Sequence, residues 1–275
     1  MNSVALGNQE LYAVAIGSTI VWQASTVARG TLFMVGRDSS NNGNLYSVDI
    51  DTGVATKIGS STDFGGIETQ PTGLAAIGST LYMVGSGEDA LLSVNTTTGV
   101  AVLFAGTQGT AGNFGLAFPQ PWGLAAIGST LYMVDRGDRA LYTISTSRQG
   151  LSGIATKVGS SSFRNRNFGG VESSPTGLAA IGNTLYMVGS ANEALYTVNT
   201  STGAATRVGS ASQFGVNESR PSGLTAIGNT LYMVGLTNRA LYLLNPSTGG
   251  ATRIGSAFQF GIGESEPYDI AFIPD

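Results

Sequence analysis

The 275-residue sequence predicts an all-β protein, a six-bladed β-propeller of four-stranded antiparallel blades. Three observations lead there. A unit whose clearest copy spans residues 175–210 recurs along almost the whole chain. Each copy holds four short apolar runs, A to D, rich in Val, Ile, Leu, Thr and Tyr, and none has the length or spacing of an amphipathic helix. In run B both alternating sides are apolar, Leu185 and Met187 on one, Tyr186 and Val188 on the other. A sheet wetted on one face alternates apolar with polar, so these sheets are expected to be covered on both faces by copies of themselves.

Within the template, run A covers residues 177–181 and run B 184–188, with Gly182-Asn183 between them. Two such residues read as a tight hairpin, because Gly and Asn tolerate the positive φ that it needs. Run C (194–199) follows a looser loop, and run D (204–208) follows Ser201-Thr202-Gly203. Residues 2–26 align without gaps on runs B, C and D: Val4 falls on Val188, Asn8 on Asn192, and Leu11-Tyr12 on Leu195-Tyr196. Full blades follow at 27–60, 71–106, 121–160, 175–210 and 221–256. The chain ends in PYDIAFIPD, residues 267–275, which matches PTGLAAIG and supplies an A run with no B run after it. The first blade is therefore expected to combine 267–275 with 2–26, closing a single 1–275 domain through its two ends. The alternative is five blades, with the C-terminal strand completing residues 31–60 and residues 1–29 as an appendage.

The signatures Pro-x-Gly-Leu-Ala, Leu-Tyr-x-Val and Asn-x-Ala-Leu (192–195 and 238–241) resemble the repeat of NHL-type six-bladed propellers. The Asp common after run B in that family appears only as Asp135. The resemblance implies the fold. It chooses no function, since the family has protein-binding, RNA-binding and enzymatic members.

Charged residues make up only 11% of the chain and net charge is −4, with a pI near 4.8, which argues against a nucleic-acid backbone as the main partner. There is no Cys and no His, so thiolate metal sites, disulfides and His-based acid–base pairs are absent. No apolar run is long enough for a membrane helix, and the first residues lack the basic start and unbroken apolar stretch of a signal peptide. Ligand identity, compartment and oligomeric state leave no signal.

Strand direction puts the short A–B and C–D turns on one face and the variable B–C and D–A loops on the other, where function is expected. The D–A connectors repeat Phe-Gly-x-x-Glu-x-x-Pro, with Glu68, Glu172, Glu218 and Glu264 a few residues before the innermost strand. Carboxylates held close at a channel mouth share a proton or take a counter-ion, so these four are candidate ligands for a divalent cation or a polar ligand. The structural alternative is that each accepts hydrogen bonds from its own loop. One blade breaks the pattern, with Phe118 where the others have Glu, Trp122 in place of Thr, Ser or Tyr, and Arg164 and Arg166 in the next connector. An aromatic pair beside charged side chains suits a sugar ring or a peptide. Arg136-Gly137-Asp138 spells an adhesion tripeptide, a three-residue signal inside a repeated hairpin.

Three functions compete on this basis. The first is a non-catalytic, lectin-like binding or adhesion module for a glycan or protein, needing no cofactor. The second is a metal-dependent hydrolase or lactonase using the Glu ring. The third is a structural or engineered repeat scaffold without a ligand.

Overall fold

The computed structural model describes residues 3–6, 9–16, 19–25, 29–105, 114, 120–146, 155–159, 168, 171–210, 214, 216, 218–258, 260 and 264–275. For 3–25, 105, 264 and 265 the backbone alone is described. An N-terminal meander comes first: β1 (Ser3–Leu6), β2 (Gln9–Ile16) and β3 (Thr19–Ser25). Next come β4 (Gly30–Asp38), β5 (Gly43–Val48), β6 (Ala55–Lys57) and one helical turn, α1 (Asp63–Gly66). The regular blades are β7 (Pro71–Ile77) to β10 (Ala101–Ala105), β11 (Pro121–Ile127) to β14 (Ala155–Lys157), β15 (Pro175–Ile181) to β18 (Ala205–Val208), and β19 (Pro221–Ile227) to β22 (Ala251–Ile254). The chain closes with β23 (Glu264–Pro274).

The architecture is a propeller of five four-stranded antiparallel blades, and the six-blade expectation is corrected here. The strand β23 pairs with β4, from Glu264 opposite Asp38 to Pro274 opposite Gly30. The first blade is thus β23-β4-β5-β6, while β1-β2-β3 form a separate three-stranded sheet. The gapless match of residues 2–26 to runs B, C and D correctly marks a meander; what fails is its claim on the C-terminal strand. The lengths explain the outcome. The strand β4 offers nine residues of open edge to an eleven-residue partner, whereas β1 offers four.

Each B strand feeds two cores, as its two apolar sides predict. In β8 (Thr80–Gly85), Leu81 and Met83 enter the cluster shared with the first blade, and Tyr82 and Val84 enter the one shared with the third. A buried side chain of this size contributes about 1.5–3 kcal/mol. The connector phenylalanines Phe64, Phe114, Phe168, Phe214 and Phe260 are all buried, one in each of the five inter-blade clusters.

The inner strands meet at a waist. Gly73, Gly123, Gly177 and Gly223 hold the same position in their A strands, and Asp269 holds it in β23. A Cβ on Gly123 would collide with the Thr176 carbonyl, and one on Gly177 would stand 2.6 Å from Leu224 N. The glycines let backbone approach backbone around the axis. Toward the A–B turns the waist opens into a cavity of about 110 Å³, lined by Leu74, Ala125, Ala179, Thr225 and their neighbours. No helix among the described residues is long and apolar enough to cross a membrane.

Candidate functional site

The connector carboxylates come first. Glu68, Glu172 and Glu218 are buried. Glu68 accepts hydrogen bonds from Gln70 N (2.5 Å) and Glu88 N (3.2 Å). Glu172 accepts them from Ser174 N (2.6 Å), Ala191 N (3.3 Å) and the Tyr196 hydroxyl (3.2 Å). Glu218 accepts them from Arg220 N (2.9 Å), Thr237 N (3.0 Å), Asn238 N (3.0 Å) and the Tyr242 hydroxyl (3.3 Å). Each carboxylate therefore ties its D–A connector to the B–C loop of its own blade. Burial pushes Glu68 above the usual carboxylate range, against the pull of these amides. Burial, then the nearby carboxylate, lifts Tyr196 to about 12. The Glu264 side chain lies outside the described residues. Among those described, no three His, Cys, Asp or Glu side chains gather as a metal group.

Asp135 explains the blade that lacks its Glu. It accepts from Gln120 N (2.7 Å) and Asp138 N (2.7 Å), the counterparts of the amides that Glu68 and Glu218 hold. The other blades have Gly85, Gly189 and Gly235 there, and a Cβ on any of them would overlap the Glu carboxylate. The carboxylate has moved from the connector to the end of the B strand. Phe118, Arg164 and Arg166 lie outside the described residues.

The mouth of the axis, on the loop face, carries the asymmetry. The second A-strand residue is Thr72, Trp122, Thr176, Ser222 or Tyr268. The three hydroxyls clasp the next blade: Thr72 Oγ1 donates to Pro121 O (2.7 Å), Thr176 Oγ1 to Pro221 O (2.9 Å) and Ser222 Oγ to Tyr268 O (2.6 Å). Trp122 and Tyr268 put rings there instead, edge to face with centroids 6.2 Å apart. The Arg136 guanidinium stacks 4.8 Å from the Trp122 ring and donates to Ser174 Oγ (2.6 Å). Arg37 lies 5.5 Å from the Tyr268 ring and 3.9 Å from Glu266, which the Tyr268 hydroxyl also reaches. Burial, then Arg220, lowers the Arg136 pKa. Trp122 Nε1 is buried with no hydrogen-bond partner among the described residues.

Trp122 is the predicted site residue that the structure places in an aromatic–cationic cluster. Tyr268, Arg37 and Arg136 were missed as its companions. Tyr268 was legible as the other residue breaking the Thr/Ser rule. The adhesion reading of Arg136-Gly137-Asp138 has little left to present, since Arg136 is stacked on Trp122 and Asp138 takes the Tyr142 hydroxyl (2.5 Å) and lies 3.6 Å from Lys157 Nζ.

Fold and mouth together define a five-bladed propeller with an aromatic and arginine-rich axial rim. No family model matches the chain, and no curated protein does. A chain of the nidogen/laminin complex crystal structure is similar, with a TM-score of 0.53 and 11% identity over 88% of this chain and 98% of that one. Glutaminyl cyclase of Myxococcus xanthus has a TM-score of 0.46 and 12% identity over 73% of this chain and 69% of its own. At 11% identity the likeness to the nidogen/laminin chain concerns the fold alone.

Proposed function

We propose that the chain is a non-catalytic binding module that holds a glycan or protein ligand over the axial mouth on the B–C and D–A loop face. The observation that carries this reading is the Trp122–Tyr268 pair. At two of five equivalent positions a ring-closing hydroxyl clasp is given up, and the two rings that replace it touch each other. Departures from an otherwise consistent local rule concentrate at functional sites. The rings supply flat apolar faces, the Arg37 and Arg136 guanidinium groups set against them supply positive charge, and the buried indole N–H has no acceptor among the described residues. This favours a ligand with an apolar ring face and an acceptor or carboxylate at its edge.

The similar chain comes from a nidogen/laminin complex, which supports a protein partner for this reading and adds no residue to the site. Kinship with NHL-type repeats belongs to the same proposal and concerns the blade signatures, not the blade number. The hydrolase reading draws no support from Glu68, Glu172 and Glu218, whose oxygens already serve loop amides.

Glycan and peptide arrays probed with the purified chain test the proposal. Saturable binding that Trp122→Ala removes is expected. Absence of binding on both arrays, or binding untouched by Trp122→Ala, overturns it.

A further inference from the structure

The loop from β4 to β5 is unlike its counterparts. From Gly36 in β4 to Leu45 in β5 the hairpin takes three residues more than between the equivalent positions Gly85 and Leu91 or Gly189 and Leu195. Every side chain from Asp38 to Asn42 bears an oxygen, so the loop contains the series Asp38-x-Ser40-x-Asn42 followed directly by Gly43 and Asn44. Oxygen ligands at alternate positions followed by glycine is the spacing with which short loops wrap a calcium ion.

The geometry follows the spacing. Asp38 Oδ1 accepts hydrogen bonds from Ser40 N (2.9 Å) and Asn42 N (3.0 Å), so the loop curls around this carboxylate. Asp63 Oδ1 accepts from Gly43 N (2.9 Å) and pins the loop to α1. A Cβ on Gly43 would stand 2.9 Å from Glu68 O, so the close approach needs glycine.

Asn44 supplies the independent observation. It is 2% exposed, and its Oδ1 is buried with no hydrogen-bond partner among the described residues. Its Nδ2 sits 3.1 Å from Asp38 Oδ2 and 2.8 Å from Asn42 O. A donor nitrogen thus holds the place between two oxygens, while the oxygen of the same amide is left without a donor. A half-turn about the last side-chain bond exchanges the two atoms. Asn44 Oδ1 then faces one gap with Asp38 Oδ2, which also accepts from Asn42 Nδ2 (3.3 Å), and Asn42 O, which also accepts from Asp38 N (3.0 Å), and a cation there serves all three oxygens. The neighbouring Arg37 guanidinium turns to Thr69 O (3.1 Å) and Asn41 Oδ1 (3.2 Å).

We propose that this loop binds a hard divalent cation of the calcium class, with Asp38, Ser40, Asn42 and Asn44 as its oxygen ligands. The site is distinct from the axial mouth, and it separates from the connector carboxylates first considered for a metal. Harder, smaller Mg²⁺ is bound more weakly, because it demands near-octahedral geometry and gives up its waters reluctantly.

Calorimetry and thermal unfolding of the full chain with CaCl₂ test it. Saturable heat and a raised Tm are expected, and Asp38→Asn abolishes both. Asn44→Asp adds a carboxylate to the gap, so it lowers Tm without calcium and tightens calcium binding about tenfold or more. Trp122→Ala leaves the calcium response unchanged. No saturable heat up to about 10 mM Ca²⁺, roughly tenfold past the weak end of calcium loops, overturns the proposal. So does a response that survives in Asp38→Asn, or an Asn44→Asp variant that loses Tm with no gain in calcium affinity.

Discussion

Asp269 Oδ2 accepts a hydrogen bond of 2.8 Å from Leu74 N, a residue 195 positions earlier in the chain. The same carboxylate accepts from Leu224 N (3.1 Å), Ile270 N (2.9 Å) and Leu124 N (3.5 Å). It is fully buried, and burial pushes its pKa well above the carboxylate range even though four amides hold it down. Four glycines and this one side chain make the waist, so amides from three other blades converge on one acceptor of the closing strand.

Asp269→Ala should therefore destabilise the ring by about 3–5 kcal/mol, since each buried amide left without an acceptor costs about 1–3 kcal/mol. Chemical denaturation reads the loss. Asp269→Gly makes the waist five glycines and leaves the amides aimed at the axis. Formate should recover part of its lost Tm, and should do nothing for the unsubstituted chain.

Trp122→Thr exchanges function for stability. The new hydroxyl stands where Thr72 and Thr176 reach the next blade's carbonyl, with Pro175 O as its acceptor. Net gain from one such bond is about 1 kcal/mol, so Tm should rise while ligand capture is lost. A variant that lost both would place Trp122 in the packing instead of the recognition surface.

The relocated carboxylate gives a double-mutant cycle. Asp135→Gly alone leaves Gln120 N and Asp138 N without their acceptor and should cost about 1–3 kcal/mol. Adding Phe118→Glu restores the arrangement of the other blades and should return most of it. Urea midpoints of the wild type, both single variants and the double variant isolate the coupling. Simple additivity would separate the two positions.

Much of this was legible before any coordinates. The two apolar sides of residues 184–188 required sheets covered on both faces, and hairpins such as Gly182-Asn183 set the meander. The blade number was not legible, because residues 2–26 and 31–60 both present B-like edges to one C-terminal strand. Strand length and the axial Asp269 settle that competition, and neither shows in a local repeat. The Glu motif was visible, but its direction was not. Reading Gly85, Gly189 and Gly235 against Asp135 would have shown that the carboxylate answers to its own loop, since glycine vanishes where the Glu does. The Asp38–Asn44 spacing was overlooked because it falls in the B–C loop that is longer than its counterparts, where only Asn42 keeps a place in the repeat.

Asp89 sets a pH dependence. It sits in the left-handed region, φ 49°, where Arg139, Glu193 and Arg239 stand in other blades. Its Oδ1 is buried without a hydrogen-bond partner among the described residues. Burial, then Asp135 across the blade boundary, then Glu88, push its pKa up to about 6 from an ordinary 3.8. The native state thus keeps a proton that the unfolded chain has released. That contribution is fully present below pH 3.8 and is lost as pH rises through about 6. Asn carries no charge, has the same shape and tolerates positive φ. Asp89→Asn should therefore change little at pH 4 and stabilise at pH 8. The shift of roughly two pH units corresponds to about 3 kcal/mol, which solvent screening of this half-exposed side chain reduces to about 1 kcal/mol. For a chain of this size that is a Tm gain of about 2–4 °C at pH 8, vanishing as the buffer approaches pH 4. Equal gains at both pH values would assign the effect to backbone conformation, and a loss at pH 8 would show that the charge is held by a favourable partner.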